Sequence, residues 1–463
     1  MLKRKIDVYL KEWKESKKKA LLVTGARQIG KTYSITHFIE ENFKHHLIVN
    51  FAETPNLIEQ FAKIRSADDL LIRILLIGGE SMVEGETVIF LDEIQLVYQY
   101  REKLIKGTSK FAYQDILTAM KSLSIEGKYR FILSGSMLGV SINNVILYPL
   151  GYMDAVEMHP LDFEEYCWAK GIGNSMFSLI RKCFDEESAV DEFVNETFLS
   201  LFKEYVLIGG MPEAVTCYIE SKNLASVEKI QKQIISKYLS DISSYIESSK
   251  EKLIIKSIYQ AMPSELNSKN KRFMSSHVLE KGYLNYNDVT DDFLWLTNAG
   301  IAIPVYNVSE PLSPLVLASQ RKTLKLFLND IGLLISASLE TGVREKLLND
   351  EKSINFGAPY ENAVAQELVA HGFGDSLFYF NSKKHGEIDF LVEWKGEVLP
   401  LEIKSGKVTP MLTYNHTALN NVMKAYGIKK AFVFGQGNVK KESDSIISLP
   451  IYMISFLQKS NQK

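Results

Sequence analysis

Cysteine is nearly absent: Cys167, Cys183 and Cys217 are the only three in 463 residues. Their spacing fits no metal-ligand pattern, and an odd count builds no even disulfide framework. Free or buried thiols in a reducing compartment are expected. Long apolar runs are missing as well. Nowhere do about 18 apolar residues follow one another, and the opening MLKRKIDVYLKEWKESKKK carries no apolar signal segment. A cytoplasmic protein with no membrane partner is the expectation. Positive charge is not in excess, because 54 Lys and Arg against 56 Asp and Glu leave a formal net charge of −2. This excludes a general polycationic coat for nucleic acid and leaves only a local basic patch. Internal repeats and low-complexity stretches are lacking too. What remains, 46% apolar and 24% charged residues, is an ordinary globular composition in a chain too long for one core.

From about residue 20 to 160, short β-rich runs alternate with helical stretches: ALLVTG, HLIVNFA, TVIFLDE, YRFILSG and YMDAVEM. Alternation of this kind predicts a parallel sheet with helices on both faces. A helical stretch follows to roughly residue 250, broken by Gly-Gly-Met-Pro at 209–212. Residues 251 to 330 read as short helices with a strand-rich end, AIPVYNVSEPLSPL. The last block mixes a helix (PYENAVAQELVAHG), a hairpin (HGEIDFLVEWKGEVLPLEIKSG) and the runs AFVFG and LPIYMISFL.

The strongest signal is GARQIGKT: Gly25, Ala26, Arg27, Gln28, Ile29, Gly30, Lys31 and Thr32. It follows an apolar strand and opens a helix, the context a phosphate loop needs. Gly25 and Gly30 let backbone amides curl round phosphate oxygens, and the helix start adds a favourable dipole. Lys31 reaches the β- and γ-phosphates, while the Thr32 hydroxyl is a ligand for Mg²⁺. The alternative is a plain glycine-containing turn. TVIFLDEIQ supplies the second part: Asp92 to hold Mg²⁺ and Glu93 to polarise the attacking water as general base. YRFILSGS ends in polar residues, of which Ser136 is chosen to sense the γ-phosphate, with Ser134 in reserve. Arg27, Arg101, Arg130 and Arg181 are open as the arginine that would face the γ-phosphate. If a neighbouring subunit supplies it, activity requires a homo-oligomer.

In the C-terminal hairpin, strand parity puts Glu402 and Lys404 on one face. Asp389 lies across the Lys395-Gly396 turn, and Glu361 on the preceding helix offers a third acid. Asp389 and Glu402 are therefore expected to hold a metal ion, with Lys404 orienting its water or offsetting developing charge. The alternative is an ion-pair cluster without chemistry.

The ordered series GARQIGKT, VIFLDEIQ, FILSGS, PLDFEEY, IGGMPEAV, LFLNDIGLL, YENAVAQEL and EIDFLVEWKGEVLPLEIKSG resembles the bacterial and archaeal predicted AAA+ ATPases that carry a C-terminal domain of unknown function. The resemblance spans about residues 18 to 435. It implies a P-loop AAA+ ATPase core over 1–165, a helical lid over 166–250 and a winged-helix-like domain over 251–340. A C-terminal α/β domain over 341–463 would be restriction-endonuclease-like, similar to the PD-(D/E)xK nucleases. Gly151-Tyr152 departs from the family, in which a basic residue often follows the glycine. Lys269, Lys271 and Arg272 would contact DNA phosphates, although Asp288, Asp291 and Asp292 follow closely and would repel them. The expected function is ATP hydrolysis with ATP and Mg²⁺, coupled to a metal-dependent domain acting on DNA. The alternative is a signalling or scaffold ATPase whose C-terminal domain binds DNA or a protein partner without cutting. A small-molecule phosphotransferase is the third class, disfavoured by the Asp92-Glu93 pair.

Overall fold

The run ALLVT forms strand β1 (Ala20–Thr24), in which Ala20, Leu21, Leu22 and Val23 are fully buried. A strand buried on both faces is what a parallel sheet covered by helices requires. In the computed structural model, described for residues 2–16, 20–105, 114, 116–136, 153–246, 248–268, 286–349, 357–406 and 416–459, β1 is joined by four more strands. These are β2 (His46–Asn50), β3 (Val88–Asp92), β4 (Arg130–Ser134) and β5 (Met153–Glu157). All five are the strands expected from the sequence. They pair parallel in the order β2-β3-β4-β1-β5. Leu117 and Met120 of the helix Ile116–Glu126 pack with Ile89, Leu91 and Phe131 in one core. Parallel pairing brings the carboxyl ends of β1, β3 and β4 to one edge of the sheet, where open α/β sheets take their ligands.

The chain divides into two units, residues 3–159 with 298–300, and residues 1–2 and 160–297 with 301–463. In the second unit a mixed sheet has the order β12-β13-β11-β10-β9-β8-β6-β7. Its strands are β6 (Ala302–Val308), β7 (Ser319–Leu328), β8 (Phe378–Ser382), β9 (Gly386–Trp394), β10 (Glu397–Ile403), β11 (Ala431–Gly435), β12 (Lys440–Lys441) and β13 (Ile446–Pro450). The β6–β7 pair was expected as the wing of a separate domain over 251–340. Here β6 also pairs parallel with β8, so the hairpin continues into the C-terminal sheet and has no free inner edge. Lys269, Lys271, Arg272 and the Gly151-Tyr152 pair lie outside the described residues. The run LPIYMISFL is strand only at its start. From Ile451 to Phe456 it is a buried 3₁₀ segment, and uniform burial leaves no period to reveal the switch.

Four of the quoted motifs meet in a buried polar core of this second unit. Asp162 of PLDFEEY caps the helix Phe163–Ala169 by accepting the Glu165 amide at 2.9 Å, and Glu165 reaches back to the Asp162 amide. Asp330 of LFLNDIGLL caps the helix Ile331–Ser338 and also accepts the Gly210 amide of IGGMPEAV at 2.6 Å. Asn362, Gln366 and Glu367 of YENAVAQEL complete the set, bonding the backbone at Leu328, Ile331 and Phe163. Gly210 has no room for a side chain, since a Cβ would lie 2.1 Å from the Leu161 carbonyl oxygen. These motifs therefore hold the fold together. Among the described residues no helix is long and apolar enough to cross a membrane.

Candidate functional site

The phosphate loop runs from the end of β1 to the helix Lys31–Asn42, whose N-cap is Gly30 at φ 89°. That left-handed backbone favours glycine. Gly25, at φ 138°, passes so close to the Met158 carbonyl that a Cβ would sit 2.3 Å from its oxygen. Arg4, buried at the start of the helix Lys5–Glu15, donates to the Ile29 carbonyl at 3.0 Å and to the His159 carbonyl at 2.7 Å. It thereby ties the loop to the end of the domain, a role that nothing in the sequence suggests. Lys31 is buried, and its ammonium donates to the carbonyls of Gly25 (3.0 Å) and Ala26 (2.7 Å) in its own loop. Burial lowers its pKa to about 8, while Glu93 and Asp92 pull the other way. An amine held in such a loop, destabilised as a cation by burial, fits the phosphate anion of a nucleotide.

The second part of the site closes around Asp92, which is fully buried at the end of β3. Thr32 Oγ1 donates to Asp92 Oδ2 at 2.7 Å. The Glu93 amide donates to Asp92 Oδ1 at 3.0 Å, and the Ser134 hydroxyl donates to the same oxygen. A hydroxyl and a carboxylate side by side are the hard oxygen donors Mg²⁺ takes. Thr32 and Asp92 are the residues that would hold it.

Glu93 takes a left-handed backbone, φ 59°, unusual for a side chain of its size. Its carboxylate accepts from Gln95 Nε2 and lies 3.9 Å from the Arg27 guanidinium. Gln95, fully buried, also accepts the Ser136 amide at 3.3 Å, so it links the acid to the end of the β4 segment. Sequence reading overlooked it; the polar residue two positions after Glu93 was the available signal. The Ser136 hydroxyl is buried with no partner among the described residues, whereas Ser134 is committed to Asp92. Of the candidate arginines, Arg27 is placed beside Glu93. Arg130 instead lies over the Trp13 ring at 4.5 Å and donates to the Trp13 carbonyl, and Arg181 lies over the Phe456 ring.

The C-terminal hairpin turns at Lys395 (φ 52°) and Gly396 (φ 82°), the paired left-handed residues of a two-residue turn. Its register pairs Phe390 with Leu401, so the next step sets Asp389 beside Glu402. Asp389 Oδ2 accepts the Ile403 amide at 2.9 Å. Lys404 and Glu402 do share a face, and the ammonium donates directly to the carboxylate. His416, also overlooked, stands 3.6 Å from the other Glu402 oxygen. Glu361 is buried on the helix Gly357–Leu368. The residue that sequence reading missed most completely is Lys325. It lies in the buried end of β7 with no exposed side-chain surface, paired at 2.7 Å with Glu387 and over the Tyr379 ring at 4.8 Å. Burial works against its charge, but Glu361, Asp389 and Glu387 outweigh burial and hold it above the ordinary lysine range. A lysine inside the apolar run Leu324–Leu328 was the legible hint. Among the described residues no three His, Cys, Asp or Glu side chains converge to hold a metal ion.

Comparison with known proteins agrees with the N-terminal geometry. Residues 17–167 match the model of an AAA domain. Residues 199–345 and 356–454 match two domains of unknown function (DUF8612 and DUF4143). No curated protein matches the chain. Solved structures it resembles include the Walker-type ATPase of Pyrococcus abyssi, at 14% identity over 73% of this chain and 96% of that one, with a TM-score of 0.43. Others are the Orc1 protein of Aeropyrum pernix in complex with DNA (12%, 75% and 92%, TM-score 0.31) and the RuvB Holliday-junction branch-migration motor of Thermotoga maritima (11%, 64% and 85%, TM-score 0.27). By sequence match, and in keeping with its phosphate loop and parallel sheet, the first unit carries an AAA-type domain.

Proposed function

We propose that this chain binds and hydrolyses ATP, and that its C-terminal sheet domain, nuclease-like in its residue pattern, engages DNA without cutting it. The observation that carries the first part is the 2.7 Å contact between Thr32 Oγ1 and Asp92 Oδ2, with buried Lys31 one residue away in the same loop. Bound Mg²⁺ would supply charge neutralisation on the phosphates. The chain's own residues do the rest. The loop amides and Lys31 hold the phosphates. Glu93, oriented by Gln95 and Arg27, takes a proton from the attacking water. Ser136 faces the same end of the sheet and is free to report on the γ-phosphate.

For the C-terminal domain, the binding reading is favoured over the cutting one because its charges already serve one another. Glu402 is committed to Lys404, and Asp389 to the Ile403 amide. DNA is the partner we favour, since Lys383 and Lys384 stand exposed at the turn between β8 and β9. A protein partner is the second reading, and a homo-oligomer remains part of the proposal through the arginine position.

Phosphate release and nucleotide binding, measured together, test the first part. Lys31→Ala is expected to lose binding. Glu93→Gln is expected to keep binding and to lose turnover by roughly 10²- to 10⁴-fold. Unchanged phosphate release from Glu93→Gln would overturn the assignment.

A further inference from the structure

The acids of the C-terminal cluster raise a problem of charge. Glu361 is almost entirely buried, Asp389 is half-buried, and Glu387 on the same strand as Asp389 turns its carboxylate inward. Buried carboxylates need a cation close by. The pattern Asp389…Glu402-x-Lys404 implies a divalent metal in that role, as expected from the sequence. The structure places a different cation there. Lys325 enters from β7, a strand remote in sequence, and its ammonium ends at Glu387 with Glu361 and Asp389 bearing on the same charge.

A divalent ion of this kind takes six or more oxygen ligands or keeps waters in their place. Asp389 gives one oxygen to the Ile403 amide, Glu387 gives one to Asn381 at 2.6 Å, and Glu402 is bonded to Lys404. The space above Lys325 is closed on one side by the Tyr379 ring. An ammonium paired with Glu387, with Glu361 and Asp389 acting on its charge, repels a doubly charged ion drawn to those acids. With Lys325 in place, the residues present therefore do not fit a metal.

We infer that Lys325 is the resident cation of this cluster, occupying the position in which a divalent ion would otherwise be required, so that the C-terminal site works without a metal. This goes beyond the function proposed above, because it concerns the charge of the site whatever the domain engages. It also makes a positive claim. Removing the ammonium should convert the acids into a site that takes a divalent ion from solution.

Mn²⁺ alone is the probe, titrated into the nucleotide-free full chain and read by the loss of its free electron-paramagnetic-resonance signal. The wild type is expected to show no Mn²⁺ binding that depends on Asp389. Lys325→Met, which keeps the apolar stem, should gain about one bound ion, with affinity raised at least about tenfold. Adding Asp389→Ala to Lys325→Met should abolish the gain. Mn²⁺ should also raise the melting temperature of Lys325→Met and leave that of the wild type unmoved. Two results would overturn the inference: wild-type binding that Asp389→Ala removes, or a folded Lys325→Met that gains nothing. If Lys325→Met does not fold, the wild-type titration against Asp389→Ala decides alone. Neither result bears on ATP turnover, so the ATPase assignment stands or falls separately.

Discussion

Glu93 shows what a single residue contributes beyond its chemical type. Its left-handed backbone costs a non-glycine residue about 1–2 kcal/mol, and such strain concentrates where a side chain must be aimed. Asp330 is a second case, with a consequence for pH. It is buried with no counter-ion among the described residues, and burial raises its pKa to about 6 despite the amides of Gly210 and Leu333 that bond it. A carboxyl that binds its proton more tightly in the folded state favours folding below its unfolded pKa, near 4, and loses that contribution as pH rises through about 6. The difference in stability between the wild type and Asp330→Asn should therefore shift against the wild type by on the order of 3 kcal/mol between pH 4 and pH 7. Urea unfolding of both proteins across that range checks it, and a difference that is flat with pH would contradict it. At this scale the local placement of the site residues was legible in the sequence. Lys31, Thr32, Asp92 and Glu93 stand in one short-range pattern each, and parity alone put Glu402 beside Lys404. Arg4 was not legible, because Ile29 and His159 come near it only in the tertiary fold, while Gln95 and Lys325 left only faint signals, a polar residue close to Glu93 and a lysine in an apolar run.

Elements were legible where a period or a turn marked them. The strands β1 to β4 are short apolar runs bounded by polar residues, and the β9–β10 hairpin is set by its Lys395-Gly396 turn. The end of LPIYMISFL was not, since every side chain from Ile451 to Phe456 is buried and no alternation survives. Two glycines separate the reasons an element needs one. A Cβ at Gly396 would meet nothing within 4 Å, so only its positive φ is at stake. Gly396→Ala should cost about 1–2 kcal/mol. At Gly210 a Cβ would collide with the Leu161 backbone, which has no flexible end to move. Gly210→Ala should cost about 3 kcal/mol or more. Thermal melts by circular dichroism distinguish the two, and equal shifts would contradict this account of the Gly-Gly break.

At the scale of the whole molecule, the sequence suggested four segments, and the chain packs as two units. The discrepancy lies in the β6–β7 hairpin. A pair of strands with a loop between them looks self-sufficient in sequence, and only the parallel pairing of β6 with β8 reveals that it extends a larger sheet. Sequence motifs likewise have two kinds of work here. GARQIGKT and VIFLDEIQ meet at one end of the first sheet as the proposed nucleotide site, while PLDFEEY, IGGMPEAV, LFLNDIGLL and YENAVAQEL are helix caps and buried polar bonds. Motif density therefore marks structure as often as chemistry. The central claim joins an active ATPase to a C-terminal domain that binds without cutting. One experiment tests it most directly: plasmid, branched and single-stranded DNA incubated with the full chain, with and without ATP, in Mg²⁺ and in Mn²⁺, with phosphate release and DNA integrity read from the same tubes. The account predicts ATP turnover with every DNA left intact. Metal-dependent cleavage that Asp389→Ala abolishes while ATP turnover persists would contradict it.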